Sequence, residues 1–136
     1  MQFSQSNALN SPLPPVCCRH LALSTNMIDK ITPLPSLKRL KILSLGRNNL
    51  RKIEKLEDFA GSLEQLWLSY NGIEKLDGLS SLRNLSVLYM SNNKLKSFDE
   101  LIKLRELPKV RIQLVFYPVF VATRHSFAHD NTRVAH

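Results

Sequence analysis

No run of apolar residues in this sequence approaches the roughly 20 that a membrane-spanning helix needs, so no membrane span is expected. Cysteine is scarce. The chain has two, adjacent at Cys17 and Cys18, which give no disulfide framework and none of the cysteine-rich caps usual in extracellular repeat proteins. The opening "MQFSQSNALNSPLPPVCC" has neither a basic start nor a continuous apolar stretch, so it does not read as a secretory signal. These features point to a reducing, intracellular compartment. Enzyme signatures are missing as well: there is no phosphate-binding loop, GxSxG, HExxH or paired CxxC. Two of the four histidines, His125 and His129, have an i, i+4 spacing that could ligate a metal on a helix. Nothing else joins them, and neither a metal site nor a cofactor is expected. A catalytic role is therefore not expected.

What the chain does have is a recurring outline. "LALSTNMI" (21–28), "LSLGRNNL" (43–50), "LWLSYNGI" (66–73) and "LYMSNNKL" (88–95) share one pattern. Each has two apolar residues one apart, then Asn three residues on, then Leu or Ile. Counted from the preceding apolar residue, units begin at Cys18, Leu40, Leu63 and Leu85, so the period is 22 or 23 residues. Self-similarity at this period marks a solenoid, and LxxLxLxxNxL is the frame of a leucine-rich repeat.

In each LxL segment the side chains alternate faces. A single unit cannot bury its inward leucines; parallel stacking can. It would align Leu21, Leu43, Leu66 and Leu88 in one row, and Leu23, Leu45, Leu68 and Met90 in the next. Ile28, Leu50, Ile73 and Leu95 form a third row, and Ile31, Ile53, Leu76 and Phe98 a fourth. Asn26, Asn48, Asn71 and Asn93 fall where the chain leaves each strand. Their amides offer both a donor and an acceptor, which suits a structural ladder that pairs turn backbone along the coil. On the return side, apolar residues three apart (Ile53, Leu56, Phe59; Leu76, Leu79, Leu82) suit 3₁₀ or short helical turns. Pro33 and Pro35 favour an extended return in the first unit. The expected fold is an α/β leucine-rich repeat solenoid: a short curved parallel sheet with a thin convex layer of 3₁₀ or short helix. A Pro-containing disordered leader is expected over 1–16. The repeat domain spans 17–116, with four clear units and a degraded fifth, and an unpatterned tail covers 117–136.

The net charge is +8, but residues 18–107 hold fifteen Lys/Arg against ten Asp/Glu, interspersed along the returns. No long basic run or nucleic-acid motif accompanies it, so nucleic acid is not an expected partner. Repeat proteins bind partners with the preformed concave sheet. The outward strand positions are His20/Ala22, Ile42/Ser44, Gln65/Trp67 and Val87/Tyr89, followed before each Asn by Thr25, Arg47, Tyr70 and Asn92. The single Trp and two of the three Tyr thus stand outside the core, where such residues tend to anchor partners. The rings of Trp67 and Tyr89 should lie about 5 Å apart, the strand spacing.

The strings "LKILSLGRNNL", "LEQLWLSYNGIEKL", "LSVLYMSNNKLK" and "ELIKLRELPKV" go beyond the generic repeat. Over roughly residues 17–116 the chain resembles the family of axonemal outer-arm dynein light chain 1, which are leucine-rich repeat proteins of the 22-residue subclass. The resemblance implies a non-catalytic subunit of cytoplasm, cytoskeleton and ciliary or flagellar axoneme. It further implies docking of an outer-arm dynein heavy chain through the sheet face and regulation of motor activity, with tubulin or the microtubule as a further partner. Carried over by position, Ile42, Trp67, Val87 and Tyr89 would form the binding patch, with Arg47 and Tyr70 at its edge. The other readings are a phosphatase-regulating repeat adaptor, disfavoured by the small number of units, and a basic tubulin- or nucleic-acid-binding protein, which strong salt dependence would expose.

Overall fold

The computed structural model describes residues 18–113. The leader expected over 1–16, the tail over 117–136 and the His125/His129 pair lie outside the described residues. Five three-residue strands form one parallel sheet in chain order: β1 (His20–Ala22), β2 (Ile42–Ser44), β3 (Gln65–Trp67), β4 (Val87–Tyr89) and β5 (Arg111–Gln113). The register is in phase, with Leu21, Leu43, Leu66, Leu88 and Ile112 opposite one another in succession. The stretch "KVRIQ" thus adds a fifth strand.

The leucine rows account for this stacking. Leu43, Leu66 and Leu88 are buried, as are Leu23, Leu45, Leu68 and Met90, and the rows beneath them join the same cluster. Burying such a side chain contributes about 1.5–3 kcal/mol, so the interface between units stabilises the fold more than any one unit can. Leu21 and Phe98 depart from the expectation and are only half-buried. Among the described residues Leu21 has a neighbouring strand on one side only, which leaves its row unfinished there.

Return segments follow the three-residue spacing. Short 3₁₀ turns cover Glu57–Phe59 and Asp77–Leu79, burying Phe59 and Leu79. The first unit has no helix in its return; Leu34 and Leu37 are buried about a turn in which Leu37 N–H donates to the Leu34 carbonyl, and Pro33 and Pro35 disfavour a helix there. The extra residue of the second unit is absorbed after Phe59, whose carbonyl accepts from both Ser62 N–H and Leu63 N–H. Neighbouring units make the shorter closure, Leu40 to Leu37 and Leu85 to Leu82. The fourth return is the longest, since the register sets Val87 opposite Arg111. It holds an α-helix (Asp99–Ile102) running into a 3₁₀ turn (Lys103–Glu106), with Leu101 and Leu104 buried.

Between strand and return, three of the four asparagines bond across units. Asn48 Nδ2 donates to the carbonyls of Leu23 (3.0 Å) and Leu45 (2.9 Å), while its Oδ1 accepts from Ile28 N–H. Asn71 repeats the pattern with Leu45, Leu68 and Leu50 N–H, each at 3.0 Å. Asn93 does so with Leu68, Met90 and Ile73 N–H. Asn26 bonds Leu23 and Ser24 carbonyls of its own unit.

Candidate functional site

The outward sheet face is built by alternation on β1 to β4, and the chain leaves it through an unusual turn. Thr25, Arg47, Tyr70 and Asn92, one per unit at the same repeat position, all have positive φ, between 54° and 59°. L-residues other than Gly and Asn rarely take this left-handed conformation, which costs roughly 1–2 kcal/mol each. The next unit holds them there: Thr25 N–H donates to Gly46 carbonyl, Arg47 N–H to Ser69, and Tyr70 N–H to Ser91, each at 2.9 Å. The strained column therefore carries the side chains at the rim of the sheet in a fixed stack.

Two contacts organise that stack. The rings of Trp67 and Tyr89, opposite one another in register, have centroids 5.3 Å apart and meet edge to face at 74°. Such pairs add about 0.5–1.5 kcal/mol beyond burial. At the rim, the Arg47 guanidinium lies over the Tyr70 ring, 4.3 Å from its centroid. Trp67 remains 40% exposed and Tyr70 48% exposed. Between the two pairs runs a hollow of about 350 Å³. Its walls are Trp67, Tyr89, Arg47 and Tyr70, and its remaining lining is small: Ser24, Thr25, Gly46 and Ser69. The hollow is therefore a slot with aromatic walls and little side-chain bulk between them.

Four of the six residues expected at the patch, Arg47, Trp67, Tyr70 and Tyr89, thus line one slot. Ile42 and Val87 are half-buried outward residues of β2 and β4, kept apart by Gln65 between them and not lining the slot. Gln65 instead holds the indole, accepting from Trp67 Nε1 at 3.4 Å. Ser44 points outward by register yet is only 4% exposed, flanked on the neighbouring strands by Ala22 and Trp67, and its hydroxyl lies 3.5 Å from His20 Nε2. The small residues were the feature that the repeat frame did not single out. Ser24, Gly46, Ser69 and Ser91 recur at one repeat position, and that recurrence was readable in the sequence.

The return side differs in character. Its carboxylates pair with lysines: Lys96 with Glu74, and Lys103 with both Asp77 and Glu100, while Lys41 pairs with Glu64 beside β3. The Lys103 ammonium holds the Glu100 carboxyl below its ordinary range, aided by Leu76 N–H, and also lowers Asp77. Lys96 lowers Glu74 in the same way. The Lys96–Glu74, Lys41–Glu64 and Lys103–Asp77 pairs are exposed and worth little in stability, whereas Glu100 is largely shielded and also accepts from Leu76 N–H. Among the described residues no cluster of His, Cys, Asp and Glu could hold a metal ion, and no helix is long and apolar enough to cross a membrane.

A family model described as leucine-rich repeats (2 copies) matches residues 62–103. Dynein axonemal light chain 1 of Danio rerio is 59% identical over 116 residues, 85% of this chain and 56% of the relative. Its counterpart in Ciona intestinalis is 61% identical over 113 residues, covering 83% and 59%. The protein of Homo sapiens is 57% identical over 109 residues, covering 80% and 57%. The chain therefore spans under two thirds of the length of these relatives. Among solved structures, the Drosophila melanogaster SNF/U2A′ complex matches with a TM-score of 0.69 at 23% identity, covering 96% of this chain and 78% of that one. An internalin from Listeria monocytogenes matches with a TM-score of 0.64 at 23% identity, covering 76% and 31%. Both establish the solenoid fold and nothing further.

Proposed function

We propose, from the premise that this chain is a leucine-rich repeat protein homologous to dynein axonemal light chain 1 over four-fifths or more of its length, that it is a non-catalytic subunit docking an outer-arm dynein heavy chain. Its place of action is the axoneme of cilia and flagella, and its role is to regulate the motor it binds. The observation that carries the reading is the pair of stacked contacts on the exposed sheet face, Trp67 with Tyr89 and Arg47 with Tyr70. Trp, Tyr and Arg dominate binding hot spots because they bury much area at small entropic cost. Here backbone ladders hold them before any partner arrives, which lowers the ordering cost of association.

The test is affinity capture of the tagged chain from extracted axonemes of ciliated cells, with partners identified by mass spectrometry. An outer-arm dynein heavy chain is the expected dominant partner. Recovery of a phosphatase catalytic subunit, or of tubulin alone with loss in moderate salt, would favour the other adaptor readings instead.

A further inference from the structure

The slot between the two stacked pairs has a chemistry of its own. One wall is apolar, formed by Trp67 and Tyr89; the other ends in a cation, because Arg47 lies over the ring of Tyr70. A guanidinium stacked on a ring keeps its N–H donors in the plane, directed away from the ring and able to take a carboxylate in two-point fashion. None of the ion pairs among the described residues uses Arg47. Asp29 lines a neighbouring hollow that shares Tyr70, but no acid lines the slot itself. The outward strand positions, the small-residue column and the left-handed column contain no Asp or Glu from the first unit to the fourth. The carboxylates of Glu64, Glu74, Asp77 and Glu100 all fall at other repeat positions, each already paired with a lysine.

We infer that this slot is a specificity pocket for one kind of partner segment: a large apolar side chain with an Asp or Glu beside it. The apolar group enters between Trp67 and Tyr70 over Gly46, and the carboxylate meets Arg47 at the rim. The charge of the face supplies the discrimination, since a segment carrying Lys or Arg at the same place would meet a cation with no carboxylate to offset it. The small column is what gives the slot its depth. An ideal Cβ at Gly46 would stand 3.3 Å from the Ser69 carbonyl and 3.7 Å from Ser24 Oγ, so a larger side chain there would raise the floor. This inference rests on the docking role proposed above and adds to it the chemistry of the segment recognised.

The single Trp makes the pocket directly observable, because the emission of Trp67 reports from its wall. Two synthetic helical peptides, identical except that one Phe is flanked by two Glu in one and by two Lys in the other, are titrated against the full chain. In parallel, purified axonemal outer-arm heavy chain is titrated against the parent, Arg47→Glu and Trp67→Ala proteins at low and moderate salt. The Glu peptide should shift Trp67 emission at concentrations at least about tenfold below the Lys peptide, and Arg47→Glu should reverse that preference. The same substitution should weaken heavy-chain binding about tenfold and flatten its salt dependence. If the heavy chain binds and Trp67→Ala weakens it, while Arg47→Glu changes neither affinity nor peptide preference, the pocket inference is overturned and the docking role stands. If the Glu peptide is preferred through Arg47 but the heavy chain does not bind, the docking role falls and the pocket chemistry stands. Equal binding of the two peptides to the parent, or none up to millimolar concentration, also overturns the inference.

Discussion

Replacing Asn71 by Ala removes three hydrogen bonds but leaves only one group without a partner. The Leu45 carbonyl still accepts from Asn48 Nδ2, and the Leu68 carbonyl still accepts from Asn93 Nδ2. The Leu50 N–H, on a residue fully buried, loses its acceptor and finds no other. One stranded buried N–H costs about 1–3 kcal/mol, so the substitution should destabilise the fold by about 2 kcal/mol. For a repeat domain of this size that is a fall in melting temperature on the order of 10 °C. The same argument grades the ladder. Asn48→Ala strands Ile28 N–H and should cost about as much, again about 2 kcal/mol. Asn26 accepts from no backbone N–H among the described residues, and the Leu23 carbonyl retains Asn48, so Asn26→Ala should cost under about 1 kcal/mol. Asn71→Asp is the sharper probe, because a carboxylate can still accept from Leu50 but has no donor for two carbonyls 3.0 Å away. At neutral pH it should be worse than Ala. Denaturant melts of these four variants, followed by circular dichroism, make the comparison. Equal losses for Asn26→Ala and Asn71→Ala, or an Asn71→Asp protein as stable as the parent, would refute the accounting.

Two further outcomes follow from the return side. Gly78→Ala should destabilise by about 1–3 kcal/mol in the same melts, because an added Cβ would stand 1.9 Å from the Ile53 carbonyl oxygen and backbone must move; Gly46→Ala, with its nearest contact at 3.3 Å, should be much milder. The Glu100 carboxyl is lowered by Lys103 and Leu76 N–H, so its contribution is present above the ordinary Glu value of 4.5 and is lost as pH falls through the lowered one. Acid melts should therefore show the parent losing stability below pH 4.5, with Glu100→Gln losing less over the same interval.

Much of this architecture was legible in the sequence because a repeat states its rows several times over. Leu45, Leu68 and Met90 recur at one position, and so do Asn48, Asn71 and Asn93; each recurrence locates both the strand and the turn. The outward placement of Trp67 beside Tyr89 followed from the same frame. What escaped depends on contacts between units that no single residue type announces. Thr25, Arg47 and Tyr70 are not residues that signal a left-handed backbone, and only the carbonyl of the next unit holds them in it. Ser44 reads as an outward polar residue, yet its neighbours bury it. Gly78 looks like any turn glycine until the close approach of Ile53 is known. The fourth return, a short helix running into a 3₁₀ turn, falls within the expected 3₁₀ or short-helix layer, though apolar residues three apart do not choose between the two.

The central claim is that the exposed aromatic sheet face, and not the charged returns, docks a dynein heavy chain. It is tested most directly by the dissociation constant of purified outer-arm heavy chain for the parent, Trp67→Ala, Tyr89→Ala and Lys75→Glu, the last an exposed substitution on a return. Truncating either ring should cost about 2 kcal/mol of affinity, near thirtyfold, with the fold intact by circular dichroism. Lys75→Glu should bind as the parent does. Loss of binding in Lys75→Glu, with Trp67→Ala and Tyr89→Ala unchanged, would contradict the account.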